Sequence, residues 1–410
     1  MTVTSWTRKL RMGMVGGGQG AFIGGVHRIA AALDGQIELV AGVFSRDFAN
    51  TQTTGRALYL DPSRLYRSAA DMAATESKRP ASERIDFVSI VTPNDAHFAP
   101  AKAFLEAGIH VVCDKPLALT LEEAEELARI VERTGCVFAL THNYTGYPLV
   151  RHARHLFQSG QMGVVRKVIV EYLQDWLMEP LEKQGSKQAS WRTNPAESGI
   201  GGAIGDIGTH ALNLVEYVTG DRVASVCADL TTFLPDRKLD EDVNALLRFE
   251  SGGKGVLTVS QIATGEENAL KLRVYASKGA VVWSQENPNY MEVYRHGQPR
   301  ETLSRGRSEY LAPSAMASTR TPWGHPEGYL EAFANIYGGA IDAIRRHVEG
   351  KPIPPSEYDF PTVHDGVRGM RFIYTSVESA KKGGAWMPIE EVGRRGERDN
   401  DRQHRRAERV

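Results

Sequence analysis

The feature that most constrains this chain lies in residues 11–145, where compact apolar runs alternate with amphipathic helical patterns. The runs are Arg11–Val15, Ile37–Phe44, Ile85–Val91, Ile109–Cys113 and Val137–Leu140. Helical patterns cover Ala96–Ala107 and Leu121–Arg133, the second opened by Thr120 with Glu123 three residues on, the spacing of a capping box. Strands apolar on both faces and separated by helices belong in a parallel sheet covered on both sides. The expected fold is therefore α/β, with a doubly wound parallel sheet in its first third.

Beyond residue 150 the texture changes. Val165–Tyr172 has the pattern of a strand, a polar loop follows, and strands dominate from Val223 to Val293. Leu270-Lys271-Leu272-Arg273-Val274 alternates strictly, the mark of an antiparallel sheet with one covered face. The other face is then either wet or a subunit interface. Residues 297–326, rich in Gly, Pro, Ser and Arg without periodicity, fit a lid or binding loop. Helical patterns over Glu327–Arg346 and Pro361–Lys382 follow, and the charged tail 393–410 reads as disordered.

A length of 410 residues suits two domains. The divisions expected are a flexible start over 1–10, a nucleotide domain over 11–145 and a second, α+β domain over 146–392. With 49 basic and 50 acidic residues the chain has no global attraction to nucleic acid or to an acidic membrane. Cys113, Cys136 and Cys227 form neither a CxxC pair nor a metal-ligand spacing, so free thiols and no metal are expected. The first residues lack the apolar core of a signal peptide and no apolar stretch is of spanning length, which points to the cytoplasm.

Val15-Gly16-Gly17-Gly18-Gln19-Gly20-Ala21-Phe22-Ile23-Gly24 leaves the first strand and enters a helix over Gly25–Leu33. In that setting a glycine turn offers backbone N–H groups to a pyrophosphate, as in the Rossmann dinucleotide fold. Gly16 and Gly18 are regularly spaced; the third glycine is either replaced by Ala21 or displaced to Gly24. The second strand ends Ser45-Arg46-Asp47, where a carboxylate would favour NAD and Ser-Arg a 2′-phosphate, so NADP stays open. Arg46 lying over the adenine is the simpler alternative. Thr92-Pro93-Asn94 and Asp114-Lys115-Pro116 each follow a strand, at the edge where open α/β sheets bind ligands.

Asp206 and His210 stand four residues apart among glycines at the start of a helical pattern. On an α-helix such a pair shares a face, so Asp206 is expected to hold one ring nitrogen of His210 while the other addresses a substrate. A carboxylate that fixes an imidazole in this way makes it a general base. The plain alternative is an aspartate capping a helix.

The order of these segments, namely the glycine turn, Thr92-Pro93-Asn94 with His97, Asp114-Lys115-Pro116 and Gly201–His210, resembles the glucose–fructose oxidoreductase / inositol dehydrogenase / rhizopine catabolism family over about residues 10–390. The resemblance implies a Rossmann domain, then an α+β domain with a large open, mainly antiparallel sheet that joins two or four copies, its last helix packing back on the first domain. It also implies oxidation of a sugar or cyclitol hydroxyl by NAD, with Lys115, Asp206 and His210 catalytic. Asp114 stands where the family usually has Glu. Cofactor contacts fall on Gly16, Gly18, Gln19, Ala21, Phe22, Ile23, Ser45, Arg46, Thr92, Pro93, Asn94, His97, Asp114, Lys115, Asn143, Trp191 and Arg192. Tyr172–Trp176 followed by Ser190-Trp191-Arg192 is similar to the levoglucosan dehydrogenase branch and its 3-keto-sugar-forming relatives. On that basis Tyr144, Gln174, Asp175 and Trp176 join Lys115, Asp206 and His210 at the substrate, with Trp176 a platform for a ring's C–H face. The alternatives are an NADP-linked keto-sugar reductase and a non-catalytic sugar or cofactor sensor; a sensor has no need of both Lys115 and His210.

Overall fold

The computed structural model describes residues 8–389. Residues 1–7 of the expected flexible start, and the whole charged tail 393–410, lie outside the described residues. Arg8 is ion-paired with Asp86 and Leu10 already belongs to a strand, so order begins earlier than residue 11.

The five apolar runs become β1 (Leu10–Gly16), β2 (Ile37–Val43), β3 (Phe87–Val91), β4 (His110–Cys113) and β5 (Phe138–Leu140). All pair in parallel, in the order β2-β1-β3-β4-β5. β3 and β4 are buried along their whole length, as strands between two helical layers must be. The helices are α1 (Ile23–Ala32), α2 (Phe48–Ala57), α3 (Ala69–Glu76), α4 (Phe98–Glu106) and α5 (Leu121–Thr134). The capping box on α5 forms as expected: the Thr120 hydroxyl accepts from the Glu123 amide at 3.2 Å and the Glu123 carboxylate takes the Thr120 amide.

A second sheet of nine strands comprises β6 (Val165–Leu173), β7 (Val223–Thr231), β8 (Asp242–Phe249), β9 (Lys254–Ser260), β10 (Ala269–Ala276), β11 (Gly279–Ser284), β12 (Tyr290–Arg295), β13 (Glu301–Ser304) and β14 (Met387–Pro388). Its order is β13-β12-β11-β10-β6-β9-β8-β7-β14, antiparallel except where β6 meets β9. β8 alternates as a one-sided strand should, with Val243, Ala245, Leu247 and Phe249 buried and Asn244, Leu246 and Arg248 outside. Helices α6 (Pro148–Gln158), α7 (Lys187–Arg192), α8 (Pro195–Ser198), α9 (Thr209–Thr219) and α10 (Pro313–Ala317) accompany this sheet.

The two closing helices, α11 (Tyr329–Val348) and α12 (Val363–Lys381), return to the parallel sheet. Phe333, Tyr337, Ile341 and Ile344 share one core with Met12, Phe87, Val112 and Ala139. Tyr337 hydroxyl bonds both His27 Nδ1 and Ser89 Oγ at 2.8 Å, and Leu140 N donates to Pro361 O on the open edge of β5.

Residues 297–326, expected as a lid or binding loop, contain regular structure. They carry β13 and α10, and the nearly buried Arg305 ties them down. Its guanidinium donates to Asn289 Oδ1, Thr321 O, Glu327 Oε1 and the carbonyl of His325. Trp323-Gly324-His325-Pro326 is thus a pinned turn. No helix among the described residues is long and apolar enough to cross a membrane.

Candidate active site

The glycine turn settles which glycine matters. The Cα of Gly17 faces that of Gly24 so closely that a Cβ on Gly24 would lie 2.3 Å from it. Gly24, not Ala21, therefore permits the close approach of helix to strand. The amides of Gly18, Gln19 and Ala21 are used inside the turn, on Phe44 O, on Asn50 and Thr54, and on Gly18 O. Gly18, Gln19 and Ala21, expected among the cofactor contacts, thus have their amides engaged within the protein. The amides of Phe22, Ile23 and Gly24 stand at the start of α1, where first-turn N–H groups have no acceptor within the helix and suit an anion.

Arg46 is largely exposed and pairs with Asp95 at 2.8 Å, while the Asp47 carboxylate caps α2 on Ala49 N. Thr92 Oγ1 closes its own turn on Ala96 O, Pro93 precedes that turn, and Asn94 Nδ2 reaches across to Ser198 O. His97 is fully buried with its ring nitrogens on the carbonyls of Pro116 and Thr92, at 2.8 and 2.9 Å. It clamps two strand-end loops together, so neither ring nitrogen is open to the cofactor contact expected there. Asp114 Oδ1 accepts from Lys115 N and from Thr141 Oγ1, which fixes the loop that carries the lysine.

Lys115 Nζ reaches from that loop into the second domain and meets Asp206, donating to its backbone oxygen at 2.6 Å and to Oδ1 at 2.7 Å. Asp206 Oδ2 accepts from Gln261 Nε2 at 2.8 Å and Arg192 Nε at 3.2 Å. Burial pushes the Asp206 carboxyl up, but Lys115 and Arg192, with hydrogen bonds from Lys115 and Gln261, outweigh it and hold it well below the usual carboxylate range. Asp206 is an anion that anchors the lysine.

Asp206 does not hold His210, and the reason lies in the backbone. Ile204–Gly208 forms a π-helical turn before α9, so its backbone bonds close at i and i+5 and not at i and i+4. The wider turn rotates Asp206 off the line of His210 and towards Lys115. Nor does Asp206 cap the helix. Asp240, from the β7–β8 connection, accepts the amides of Gly202 and Ile204 at 2.7 Å each.

The partner of His210 is His142, Nδ1 to Nδ1 at 3.3 Å with the rings edge to face. Both are buried. Burial, then the charge of Lys115 and the neighbouring His142, push His210 well below its ordinary value, against a smaller opposing pull from Asp206. Burial and Lys115 push His142 down to about 3. Both imidazoles are neutral at pH 7, and within the pair one Nδ1 must donate and the other accept.

Around them, Tyr144 sets its ring 4.8 Å from His210 and its hydroxyl on that of Tyr172. Tyr172 OH and Gln174 Nε2 both donate to Asn268 Oδ1, and Trp176 Nε1 donates to Gln174 Oε1. The Arg192 guanidinium lies 4.1 Å from the Trp191 ring and 5.6 Å from that of Trp176. Asp175 turns elsewhere, onto Gly265 N. Asn143 is buried with Nδ2 unpartnered, an amide able to reach a bound group. Sequence reasoning missed His142, Gln261 and Asp240. The first two follow the ends of β5 and β9, and strand-end position is the signal that could have found them.

Open helix amides beside a close glycine contact fit a pyrophosphate, and a lysine and neutral imidazoles stand across the same cleft. The molecule is an NAD-binding oxidoreductase. Residues 10–142 match the oxidoreductase family with an NAD-binding Rossmann fold, and residues 150–282 match the GFO/IDH/MocA C-terminal domain. The uncharacterized oxidoreductase YfiI of Bacillus subtilis (strain 168) is 32% identical, over 93% of this chain and 97% of its own. The levoglucosan dehydrogenase of Pseudarthrobacter phenanthrenivorans is 26% identical, over 94% and 99%. An inositol dehydrogenase homolog from Azotobacter vinelandii, in a crystal structure complexed with NAD+, superposes with a TM-score of 0.87 at 35% identity, over 93% and 98%. The chain belongs to the Gfo/Idh/MocA family, whose members here include sugar and cyclitol dehydrogenases.

Proposed function

We propose that this protein oxidises a secondary hydroxyl of a pyranose sugar, glycoside or cyclitol to a ketone, a 3-keto sugar being the expected product of the pyranose reaction. The observation that carries this reading is the meeting of Lys115 with Asp206, close enough to the His142–His210 pair for the lysine's charge to act on both imidazoles. The likeness to a levoglucosan dehydrogenase and to an inositol dehydrogenase homolog supports it.

The Phe22 and Ile23 amides would hold the pyrophosphate of NAD, and the unpartnered Asn143 amide, with Asp114 fixing the neighbouring loop, would contact the rest of it. Bound NAD supplies the acceptor for the hydride that leaves the carbinol carbon. His210 donates its Nδ1 proton to His142 Nδ1, which leaves Nε2 with a lone pair to take the hydroxyl proton. Lys115, aimed by Asp206, donates a hydrogen bond to the same oxygen and stabilises the negative charge that develops there. Gln174 and Trp176 bind the sugar, the first through its amide and the second through an apolar face. A nucleotide unit over 11–145 and a substrate unit over 146–392 then work as two walls of one cleft. Exposed Leu246 and Tyr275 on the outer face of the open sheet pair two or four copies, which sedimentation would measure.

The direct test is NADH formation over glucosides, disaccharides, levoglucosan and inositols, with the new carbonyl located by NMR. Turnover with at least one of these classes is expected; no NADH with any of them would sink the reading.

A further inference from the structure

A cleft of about 940 Å³ adjoins the catalytic cluster without containing Lys115, Asp206 or His210. Its inner wall is shared with that cluster. Asn268 lines the cleft and accepts from both Tyr172 and Gln174. Tyr329 lines it too, its ring 6.4 Å from that of Tyr144, which in turn packs on His210. A ligand held at His210 therefore has this space one side-chain layer away.

Three features of the cleft specify what it takes. Its volume is near the top of the range for clefts that bury a drug-sized ligand, roughly 300–1,000 Å³, and is more than one six-membered ring fills. Its charge is negative, because Glu266, Glu267 and Glu286 have no cation among the lining residues, while Arg305 and Glu327 neutralise each other at 2.9 Å. Its wall also holds two buried acceptors without a donor, Gln285 Oε1 and Glu327 Oε2. A buried acceptor left unpaired is destabilising. Packing alone gives no return for that, whereas a ligand rich in hydroxyl donors does. Gln285 is tied by a single 3.3 Å bond from its Nε2 to Tyr147, so its amide can turn towards such a donor.

We infer that this cleft is a subsite for a second, uncharged sugar unit. The substrate is then an extended glycoside, of disaccharide size, and not a free monosaccharide or cyclitol. Phosphorylated or carboxylated outer units are excluded by the glutamates. The inference rests on the functional reading above and deepens it.

The test compares kcat/KM for NAD reduction by cellobiose, maltose and trehalose with that for methyl glucosides, and trehalose with trehalose 6-phosphate. At least one disaccharide should exceed the methyl glucosides by roughly tenfold, the size of one or two recovered hydrogen bonds, and the phosphate should be the poorer of its pair. Gln285→Leu should shrink the disaccharide-to-methyl-glucoside ratio several-fold. Glu286→Gln should narrow the gap between trehalose and its phosphate, and calorimetry with NADH present should show both changes in binding. Methyl glucosides or inositols matching every disaccharide would overturn the subsite and leave the dehydrogenase reading standing. No NADH with any sugar would overturn both.

Discussion

Lys115 and His210 arrive at one candidate site from opposite halves of the chain, and they are held by opposite means. The lysine comes from a strand-end loop of the parallel sheet and is fixed by charge, through a carboxylate of the other domain. The histidine comes from the start of α9 and is fixed without charge, by another imidazole and by aromatic rings. On one side, then, an ion-paired lysine can offer a hydrogen bond. On the other, burial holds the His210 imidazole well below its ordinary range and so keeps it neutral. A shared Asp206 would have blurred these roles, since a carboxylate bonded to both groups would raise the imidazole's affinity for a proton.

The sharpest way to break this division is Lys115→Ala, for which kcat should fall roughly 10³-fold or more, since charge stabilisation is among the largest catalytic contributions. Lys115→Arg should not restore it, because a planar guanidinium does not replace a point charge. His210→Ala should lower kcat by about 10²–10⁴-fold, the range for general bases; turnover near that of the parent would remove His210 from its role. His142→Ala should cost about tenfold and also shift the pH profile. His142 helps to lower His210, so without it the acid limb of kcat/KM should move to higher pH; an unmoved limb would make His142 mere packing. Gly24→Ala, on the nucleotide side, should weaken NAD binding by fluorescence titration while leaving the lysine and imidazole geometry alone.

The smallest effect is on stability. His27, His110 and His142 hold out to about 4, about 3 and about 3, burial being the chief cause in each. An unfolded imidazole takes its proton near ~6.5, so below that pH protons favour the unfolded chain. Their stabilisation is full above pH ~6.5 and declines as pH falls towards 3. Melting temperature should drop steadily over that window, and His110→Asn should flatten the decline.

The parallel sheet was the more legible half. Its strands are continuous apolar runs, and a residue just past such a run lies at the ligand edge whatever the side chains do. That is why Lys115 was visible, while His142, in a segment of which only Asn143 and Tyr144 stood out, was passed over. The expected Asp206–His210 link fails because it requires an α-helical turn, and a π-turn differs by a single hydrogen bond that glycines permit and no periodicity announces. The unpatterned stretch 297–326 hid its order because that order comes from Arg305 reaching residues up to 22 positions away, a tertiary bond without local signature. His97 matched its motif and still had a different occupation, joining loops.

The return of α11 and α12 to the parallel sheet has a consequence for biosynthesis. Tyr337 completes contacts begun by His27 and Ser89, and Pro361 closes the edge of β5. The part of the chain that leaves the ribosome first is finished by nearly the last segment to emerge. A nascent nucleotide domain must therefore wait with an uncovered flank while the whole second sheet is made, and a fragment that stops before residue 329 should be a client for chaperones and not a working half.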